Sequence, residues 1–357
     1  MIQKFKWPIL LLAAAGVTML ALNFSPALAP KREKEYFLKA ERPGALRLLA
    51  REMKADGILH SERLFRLATR LTASDRKLQS GYYTFDNRMG LLAALGKIRR
   101  GEVNRVPVVI REGADLYEIA AEAALARAVE TPAEFLEKAR ARALLERIEK
   151  RFTLDRKIPS VEGFLYPDTY SVRKGAGFQE LADLAVARFD SRIAAAYRKK
   201  SEEMAARKER PQNLWHYLRA ASLIERETPT ESERPVVASV LENRLRLGEK
   251  LRFDPTILYA MKLEGKWPKS PLSTNGNVGV SIKTEHFAIK SRWNTYWVSG
   301  LPMGPICNPT LSSFEAAMEP AKTDYLFFVA KGFGVREHAF SKTYEEHQRL
   351  TKKYLLR

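Results

Sequence analysis

The stretch Ala221–Met261, ASLIERETPTESERPVVASVLENRLRLGEKLRFDPTILYAM, carries the strongest local folding signals of the chain. It begins within an apolar helix that we predict over Trp215–Glu227. A second helix is predicted over Glu231–Leu247, with Ser232 as its N-cap and a proline in its first turn. A third helix is predicted to start at Asp254, with that residue as N-cap and proline at the next position. The stretch therefore predicts a helical domain in the second half of the chain.

Two carboxylates, Glu225 and Glu227, end the first of these helices beside a strongly apolar segment. A carboxyl group held against apolar surface has its charged form disfavoured, so its pKa rises and it keeps a proton near neutral pH. A general acid that protonates a glycosidic oxygen needs this property. The alternative stays open that either glutamate pairs with Arg219 or Arg226 at an ordinary helix end.

The composition is that of a globular protein. The chain has 357 residues, which suits two or three modules, and 45% of them are hydrophobic. Its 61 lysines and arginines exceed its 42 acidic residues by 19, which favours polyanionic neighbours such as nucleic acid, anionic lipid or acidic wall polymers. The single cysteine, Cys307, excludes an intramolecular disulfide. Because no phosphate-binding loop, nucleophile elbow or Cys/His metal set is present, we predict no cofactor and no metal.

The N-terminus predicts a membrane anchor. Lys4 and Lys6 precede an apolar run over residues 7–24, which is near the minimum length for a transmembrane helix. The alternative is a signal peptide, because Ala27-Leu28-Ala29 has the form of a cleavage site. Pro30 directly after that site favours an uncleaved anchor, with the rest of the chain exported.

Two segments between the anchor and residue 175 resemble each other. Each consists of a strand, around Tyr36–Leu38 and Val108–Ile110, then a glycine turn and a helical pattern. Each closes on a glycine-aromatic run, at residues 81–85 and 162–170, which reads as a core strand or a face for stacking on sugars. We interpret the pair as an internal repeat of strand–helix–helix units, with coincidence between amphipathic helices as the alternative. Near the C-terminus, residues 325–330 and 337–340 predict a β-hairpin.

Further motifs follow one another in a fixed order. They are EGFLYPDTY at Glu162–Tyr170, WNTY at Trp293–Tyr296, GLPMGPICNP at Gly300–Pro309, YLFFV at Tyr325–Val329 and HAFSKTYEEH at His338–His347. Together with the run 221–261, this order resembles the endolytic murein transglycosylases, the YceG-like or MltG family. The chain departs from the family pattern at Trp293, where tyrosine is usual, and at Met303, where proline is usual. Both differences bear on substrate fit.

The resemblance implies an α+β fold in three parts. Residues 1–28 would be a cytoplasmic tail and single-pass transmembrane anchor in the inner membrane. Residues 29–175 would be a LysM-like N-terminal region with a possible two-unit repeat, and residues 176–357 a mixed α/β catalytic domain in the periplasm. The implied partners are peptidoglycan glycan strands, the inner membrane and peptidoglycan synthases.

The resemblance also implies an activity and its residues. The family cuts nascent glycan strands between MurNAc and GlcNAc, leaves a 1,6-anhydroMurNAc end and so terminates strand elongation. Glu225 matches the catalytic acid, and we expect Glu227, Asp254, Asn294 and Tyr296 to bind substrate. In this chemistry one acid protonates the leaving oxygen and then takes a proton from the 6-hydroxyl of the sugar, so no second carboxylate nucleophile is needed.

Two other classes of function stay open at this point. A non-catalytic peptidoglycan-binding scaffold of the cell-wall synthesis machinery would keep the N-terminal region and would not need Glu225. A nucleic-acid-binding protein is suggested by the net charge alone, and the apolar N-terminus argues against it. We therefore predict no nucleic-acid partner.

Overall fold

The computed structural model describes residues 30–72, 78–266, 282–332 and 334–355. These residues form two compact units. The first comprises the described residues up to 106 together with 171–176, and the second comprises 107–170 and the described residues from 177 onward. The predicted division of the chain at residues 28/29 and 175/176 concerns sequence modules, and it stays a prediction.

The first unit is built on one antiparallel strand pair. Its elements are β1 (Glu33–Leu38), α1 (Ala45–Ala55), α2 (Glu62–Leu71), β2 (Gly81–Asp86) and α3 (Leu91–Arg100). Glu33 lies opposite Asp86 and Leu38 lies opposite Gly81 in the register of β1 and β2. The α1 helix packs on α2 and on β1. Alternating burial along β2 places Tyr83 and other apolar side chains of the two strands in a core shared with the three helices.

The second unit starts with a strand, three short helices and a second strand. These are β3 (Arg105–Ile110), α4 (Leu116–Leu125), α5 (Pro132–Lys138), α6 (Arg142–Arg151) and β4 (Asp168–Arg173), and β3 pairs with β4. Helix starts here follow the sequence closely. Asp115 caps α4 by accepting hydrogen bonds from the backbone of Tyr117 and Glu118, and Thr131 caps α5 in the same way.

The remaining elements of the second unit are mostly helical. They are α7 (Phe178–Phe189), a π-helical turn (Asp190–Ala194), α8 (Ala195–Ala206), α9 (Leu214–Glu227), a 3₁₀ turn (Glu231–Glu233), α10 (Arg234–Arg246), α11 (Asp254–Leu263), a 3₁₀ turn (Thr284–Ala288), α12 (Leu311–Met318), β5 (Phe327–Ala330), β6 (His338–Ser341) and α13 (Tyr344–Leu355). The α9 helix packs against α10, α11 and α12. The antiparallel pair of β5 and β6 confirms the predicted hairpin, and α9 confirms the helix predicted over 215–227.

Aromatic side chains join the two halves of the second unit in one core. Phe164 stacks on Trp215 of α9 with ring centres 6.0 Å apart, and it also contacts Phe152 and Phe189. All four except Phe152 are essentially inaccessible to solvent. Burial of each such side chain contributes about 2–3 kcal/mol. The base of α9 is therefore rigidly held.

The predicted fold class is corrected to mixed α/β. Strand pairs alternate with helices along the chain and form three separate two-stranded sheets. The LysM-like prediction is unsupported, because residues 107–170 belong to the same compact unit as the C-terminal helices. Their apolar side chains are buried against α9 and its neighbours, so they do not form an independent module.

The predicted transmembrane helix and single-pass inner-membrane localisation are also corrected. Within the residues that the structure describes, no helix combines the length and the apolar character needed to cross a bilayer. The longest continuous helical stretch, 178–206, is repeatedly interrupted by charged residues. The predicted anchor itself, residues 1–28, lies outside the described residues.

Two helix starts differ from their predictions. Ser232 lies in the 3₁₀ turn before α10, and α10 begins at Arg234 without a side-chain cap. The proline at position 235 suits the first helical turn, where its missing N–H is not needed, so the α-helix starts directly before it. Asp254 is the first residue of α11 and makes no capping bond, because its side chain turns to another partner.

Candidate active site

The α9 helix places both predicted carboxylates in its last turn. Asn213 starts the helix by accepting a hydrogen bond from the backbone N–H of His216 at 2.8 Å. Nine of the helix residues are buried, because apolar side chains occupy nearly every position before Glu225. The helix ends at Thr228, which adopts an extended conformation and is itself buried. Glu225 and Glu227 therefore stand where a buried helix meets the surface.

Glu225 is surrounded by hydrogen-bond donors. Its Oε2 accepts from the backbone N–H of Thr310 at 2.9 Å and from the Thr310 hydroxyl at 2.6 Å. Its Oε1 accepts from Nη2 of Arg234 at 3.2 Å, and both side chains of this ion pair are 4% exposed. Arg234 also donates to the Thr310 hydroxyl at 3.0 Å. Glu225 thus ties α9 to the starts of α10 and α12.

Glu227 has the opposite environment. Its Oε2 is buried and accepts no hydrogen bond from any residue that the structure describes. The residue as a whole keeps partial access to solvent. Burial, and next the negative charge of Asp254, raise the pKa of Glu227 to about 8, against a smaller opposing effect of Arg244. Glu227 therefore holds a proton at neutral pH on a carboxyl group that has an uncommitted oxygen.

Asp254 and Tyr296 lie beside Glu227. The Tyr296 hydroxyl donates to Oδ1 of Asp254 at 2.6 Å. Burial, and next the hydrogen bond to Asp254, raise the pKa of Tyr296, and the charge of Glu227 adds to this effect. A buried pair of hydroxyls 3.0 Å apart, on Thr256 and Thr295, fixes the start of α11 to the turn that carries Tyr296. Three predicted site residues are therefore brought together: Glu227, Asp254 and Tyr296.

Asn294 is fully buried, and its amide is committed to the backbone. Its Nδ2 donates to the carbonyls of Phe287 and Ile289, and its Oδ1 accepts from the N–H of Tyr296. This side chain shapes the turn on which Tyr296 stands. Its predicted role in contacting substrate stays a prediction.

The proline-rich loop over residues 300–309 is fastened along α9. Arg219 donates to the carbonyl of Pro302 at 3.0 Å, and the Ser222 hydroxyl accepts from the N–H of Ile306 at 3.2 Å. The loop also packs closely on Gly163, where a Cβ would lie 2.7 Å from Pro305 and the φ angle is 88°. Only glycine suits that position. The loop is thus a fixed wall beside the helix.

A buried carboxylate that the sequence reasoning did not single out, Glu162, secures this loop. Its Oε1 accepts from Asn308 at 2.8 Å, and its Oε2 accepts from the N–H of Leu116 and the hydroxyl of Tyr259. Burial, and next the charge of Asp115, raise the pKa of Glu162. Because Glu162 is 1% exposed, its role is internal.

A second buried charge cluster lies next to it. Lys262 forms ion pairs with Asp115 at 2.5 Å and with Glu118 at 3.1 Å. Arg226, between the two candidate acids on α9, pairs with Glu118 at 3.5 Å and donates to the carbonyl of Gly113. This pairing differs from the alternative left open above, because Arg226 turns away from both glutamates.

The sequence reasoning missed Arg234, Thr310 and Glu162. Glu162 lies in the quoted run 162–170, where its position before a glycine-aromatic strand was the available signal. Arg234 and Thr310 gave none, because their roles depend on partners 9 and 85 residues away in the chain.

Fold and site together define a mixed α/β protein with a protonated carboxyl group at the end of a buried helix, in a unit rich in aromatic and glycine-proline motifs. The YceG-like family model matches residues 41–353. The chain belongs to the YceG-like family.

Individual relatives agree with this assignment. The chain is 30% identical to the endolytic murein transglycosylase of Bacillus subtilis, over 86% of this chain and 81% of that protein. It is 27% identical to the endolytic murein transglycosylase of Streptococcus pneumoniae, over 71% of this chain and 46% of that longer protein. A crystal structure of a yceG-like protein from Listeria monocytogenes is similar with a TM-score of 0.57 and 26% identity, and the match covers 90% of this chain and all of that one.

Proposed function

We propose that the protein is a peptidoglycan lytic transglycosylase, a lyase, that cuts glycan strands internally at the MurNAc–GlcNAc bond and leaves 1,6-anhydroMurNAc ends. Membership of the YceG-like family and the two relatives named endolytic murein transglycosylase support the activity. Peptidoglycan synthases as partners stay a prediction from the resemblance.

Within this activity we propose Glu227 as the general acid and base. The observation that carries this assignment is the buried Oε2 of Glu227, which has no hydrogen-bond partner among the described residues. A proton on this carboxyl, held by a pKa of about 8, is available at neutral pH. Glu225 has its oxygens occupied by Thr310 and Arg234 and is the weaker candidate on this geometry. Its predicted role as the acid stays a prediction that the same experiment tests.

The reaction needs only one such group. Glu227 gives its proton to the glycosidic oxygen, and the bond from that oxygen to C1 of MurNAc breaks. The N-acetyl group of the substrate stabilises the cation at C1. The Glu227 carboxylate then takes the proton of the 6-hydroxyl as that oxygen bonds to C1, which restores the acid and closes the anhydro ring.

Asp254 and Tyr296 support the acid through charge. The carboxylate of Asp254 disfavours ionisation of Glu227 and accepts the Tyr296 hydroxyl at 2.6 Å. Arg244 favours the charged form and so assists the second half of the reaction, when Glu227 is a carboxylate. The proton affinity of Glu227 is thus balanced between two opposing neighbours.

Mass spectrometry of purified glycan strands tests the proposal. The strands are incubated with the wild-type protein, with Glu227→Gln and with Glu225→Gln, and the fold of each variant is checked by circular dichroism. We expect anhydro-ended internal fragments from the wild type and from Glu225→Gln, and none from Glu227→Gln. Fragments from Glu227→Gln but not from a folded Glu225→Gln would transfer the role to Glu225. Binding to strands without fragments from any form would support the scaffold alternative.

A further inference from the structure

The turn that carries Tyr296 also presents an exposed indole. Trp297 is 47% exposed, and Nζ of Lys290 lies 5.4 Å from the centre of its ring. Trp297 directly follows Tyr296, whose hydroxyl is bonded to Asp254. An exposed tryptophan offers a large flat apolar face, which suits stacking on one face of a sugar ring. The exposed aromatic surface therefore adjoins the proposed acid site.

Three exposed cations surround the same turn: Lys250, Arg252 and Lys290. Lys250 donates to the carbonyl of Tyr296 at 3.0 Å, and the backbone N–H of Arg252 donates to the carbonyl of Thr295 at 3.3 Å. No residue in the described part of the chain forms an ion pair with any of the three. Like charges collected on one surface repel one another, and an anionic ligand would relieve that repulsion.

The backbone at Arg252 is strained. Its φ angle is 56°, in the left-handed region that residues with a Cβ rarely adopt. The strain is held in place on both sides, because the N–H of Phe253 donates to the buried hydroxyl of Thr295 at 2.9 Å. The exposed side chain of Arg252 adds nothing to the core. Strain at such a residue is typical of a binding site, where it fixes the direction of a functional side chain.

The chemistry of the glycan strand identifies a matching ligand. GlcNAc residues carry no charge. Each MurNAc residue carries a lactyl group, which ends either in its own carboxylate or in a stem peptide with free carboxylates. A guanidinium binds a carboxylate through two parallel hydrogen bonds, and the lysines add point charges.

We propose that Trp297, Arg252, Lys250 and Lys290 form a subsite for the carboxylate-bearing MurNAc residue of the strand. Trp297 stacks on the sugar, and Arg252 pairs with the carboxylate of the lactyl or peptide substituent. The proposal rests on the proposed function, and it makes the enzyme prefer strands with charged MurNAc substituents over neutral ones.

Steady-state cleavage of three strand preparations by the full chain tests this subsite. The first preparation carries stem peptides, the second has had them removed by an amidase so that lactyl carboxylates are free, and the third has those carboxylates converted to neutral methylamides. The proteins are wild type, Arg252→Gln, Arg252→Lys and, as the matched control, Arg192→Gln. Arg192 is an exposed arginine of the same unit with no role in the proposed site.

We expect Arg252→Gln to raise KM about tenfold on charged strands, the scale of one charge-assisted contact, with kcat nearly unchanged. Arg252→Lys should recover most of this loss, and Arg192→Gln should match the wild type. A loss on peptide-bearing strands alone assigns the carboxylate to the stem peptide, and a loss on both charged preparations assigns it to the lactyl position. An equal KM for wild type and Arg252→Gln on every preparation overturns the subsite while leaving the activity intact. Absence of cleavage by the wild type removes the proposed function, and the subsite with it.

Trp297→Ala provides an independent measurement. Because stacking does not depend on charge, KM should rise about fivefold on all three preparations, including the neutral one. A Trp297→Ala variant with unchanged KM on the neutral strands would remove the indole from the subsite.

Discussion

Glu225 and Glu227 lie two residues apart on one helix and have opposite surroundings. Glu225 accepts hydrogen bonds from Thr310 and forms a buried ion pair with Arg234. Glu227 keeps a buried oxygen without a partner among the described residues and has a pKa of about 8. The helix supplies burial to both, and residues from elsewhere in the chain decide which carboxyl is committed to structure. One change at each position separates these roles.

The largest expected effect is on catalysis. Glu227→Gln removes the transferable proton with little change in shape, so kcat should fall about 10³–10⁴-fold. Glu225→Gln keeps an oxygen acceptor for Thr310, and a folded protein should retain kcat within about tenfold of wild type. Release of anhydro-ended fragments with time gives both rates. The comparison breaks if the folded Glu225 variant is the slower of the two.

The next effect is on stability and belongs to the Glu225 side. Arg234→Ala leaves the Glu225 carboxylate buried without its cation, and removing one partner of a buried pair costs about 3–5 kcal/mol. Urea unfolding followed by tryptophan fluorescence measures this loss. Arg246→Ala, an exposed arginine at the other end of α10, is the matched control and should stay within about 0.5 kcal/mol of wild type. Equal stability of the two variants would mean that the ion pair contributes little.

A third carboxylate clarifies why burial alone does not make an acid. Burial raises the pKa of Glu162 as well, with the charge of Asp115 as the second cause. Its oxygens, however, accept hydrogen bonds from three groups, and it is enclosed. A catalytic acid needs both a retained proton and an accessible, uncommitted oxygen, and Glu227 meets both conditions.

The sequence was sufficient for the features that depend on neighbours along the chain. Apolar spacing predicted α9, and alternating apolar residues around a turn predicted the β5–β6 hairpin. The ordered motifs identified the family. These signals are local or cumulative, so they survive without knowledge of the packing.

The sequence could not distinguish Glu225 from Glu227, because residue type and helix position are nearly the same for both. Thr310, which commits Glu225, lies 85 residues further along the chain. Asp254 was read as a helix cap for a similar reason: the Tyr296 hydroxyl that it binds instead lies 42 residues away. Local rules describe backbone preferences, and such distant partners override them.

The raised pKa of Glu227 predicts a pH-dependent stability difference. The folded protein binds this proton more tightly than the unfolded chain, whose glutamate has a pKa near 4.5, so the contribution to stability declines as the pH rises from about 4.5 to about 8. Glu227→Gln escapes this decline and should exceed wild type by about 1–2 kcal/mol at pH 9, after allowance for partial solvent access. Urea unfolding at pH 5 and pH 9 measures the difference, and Glu242→Gln, at an exposed position on α10, controls for loss of a negative charge. A difference that is the same at both pH values would contradict the raised pKa.

The smallest expected effect tests the link between Asp254 and the acid. Asp254→Asn keeps an acceptor for the Tyr296 hydroxyl and removes the charge that, after burial, raises the pKa of Glu227. Because Asp254 is exposed, its charge is screened by water, and we expect the high-pH limb of the kcat/KM profile to move down by about 0.5–1 pH unit. Glu249→Gln, an exposed acid before α11, should leave that limb in place. If Asp254→Asn lowers activity equally at every pH, Asp254 acts by positioning Tyr296 and not through its charge. In that case burial alone would account for the proton held by Glu227, and the contrast with Glu225 would rest entirely on the hydrogen bonds that Glu227 lacks.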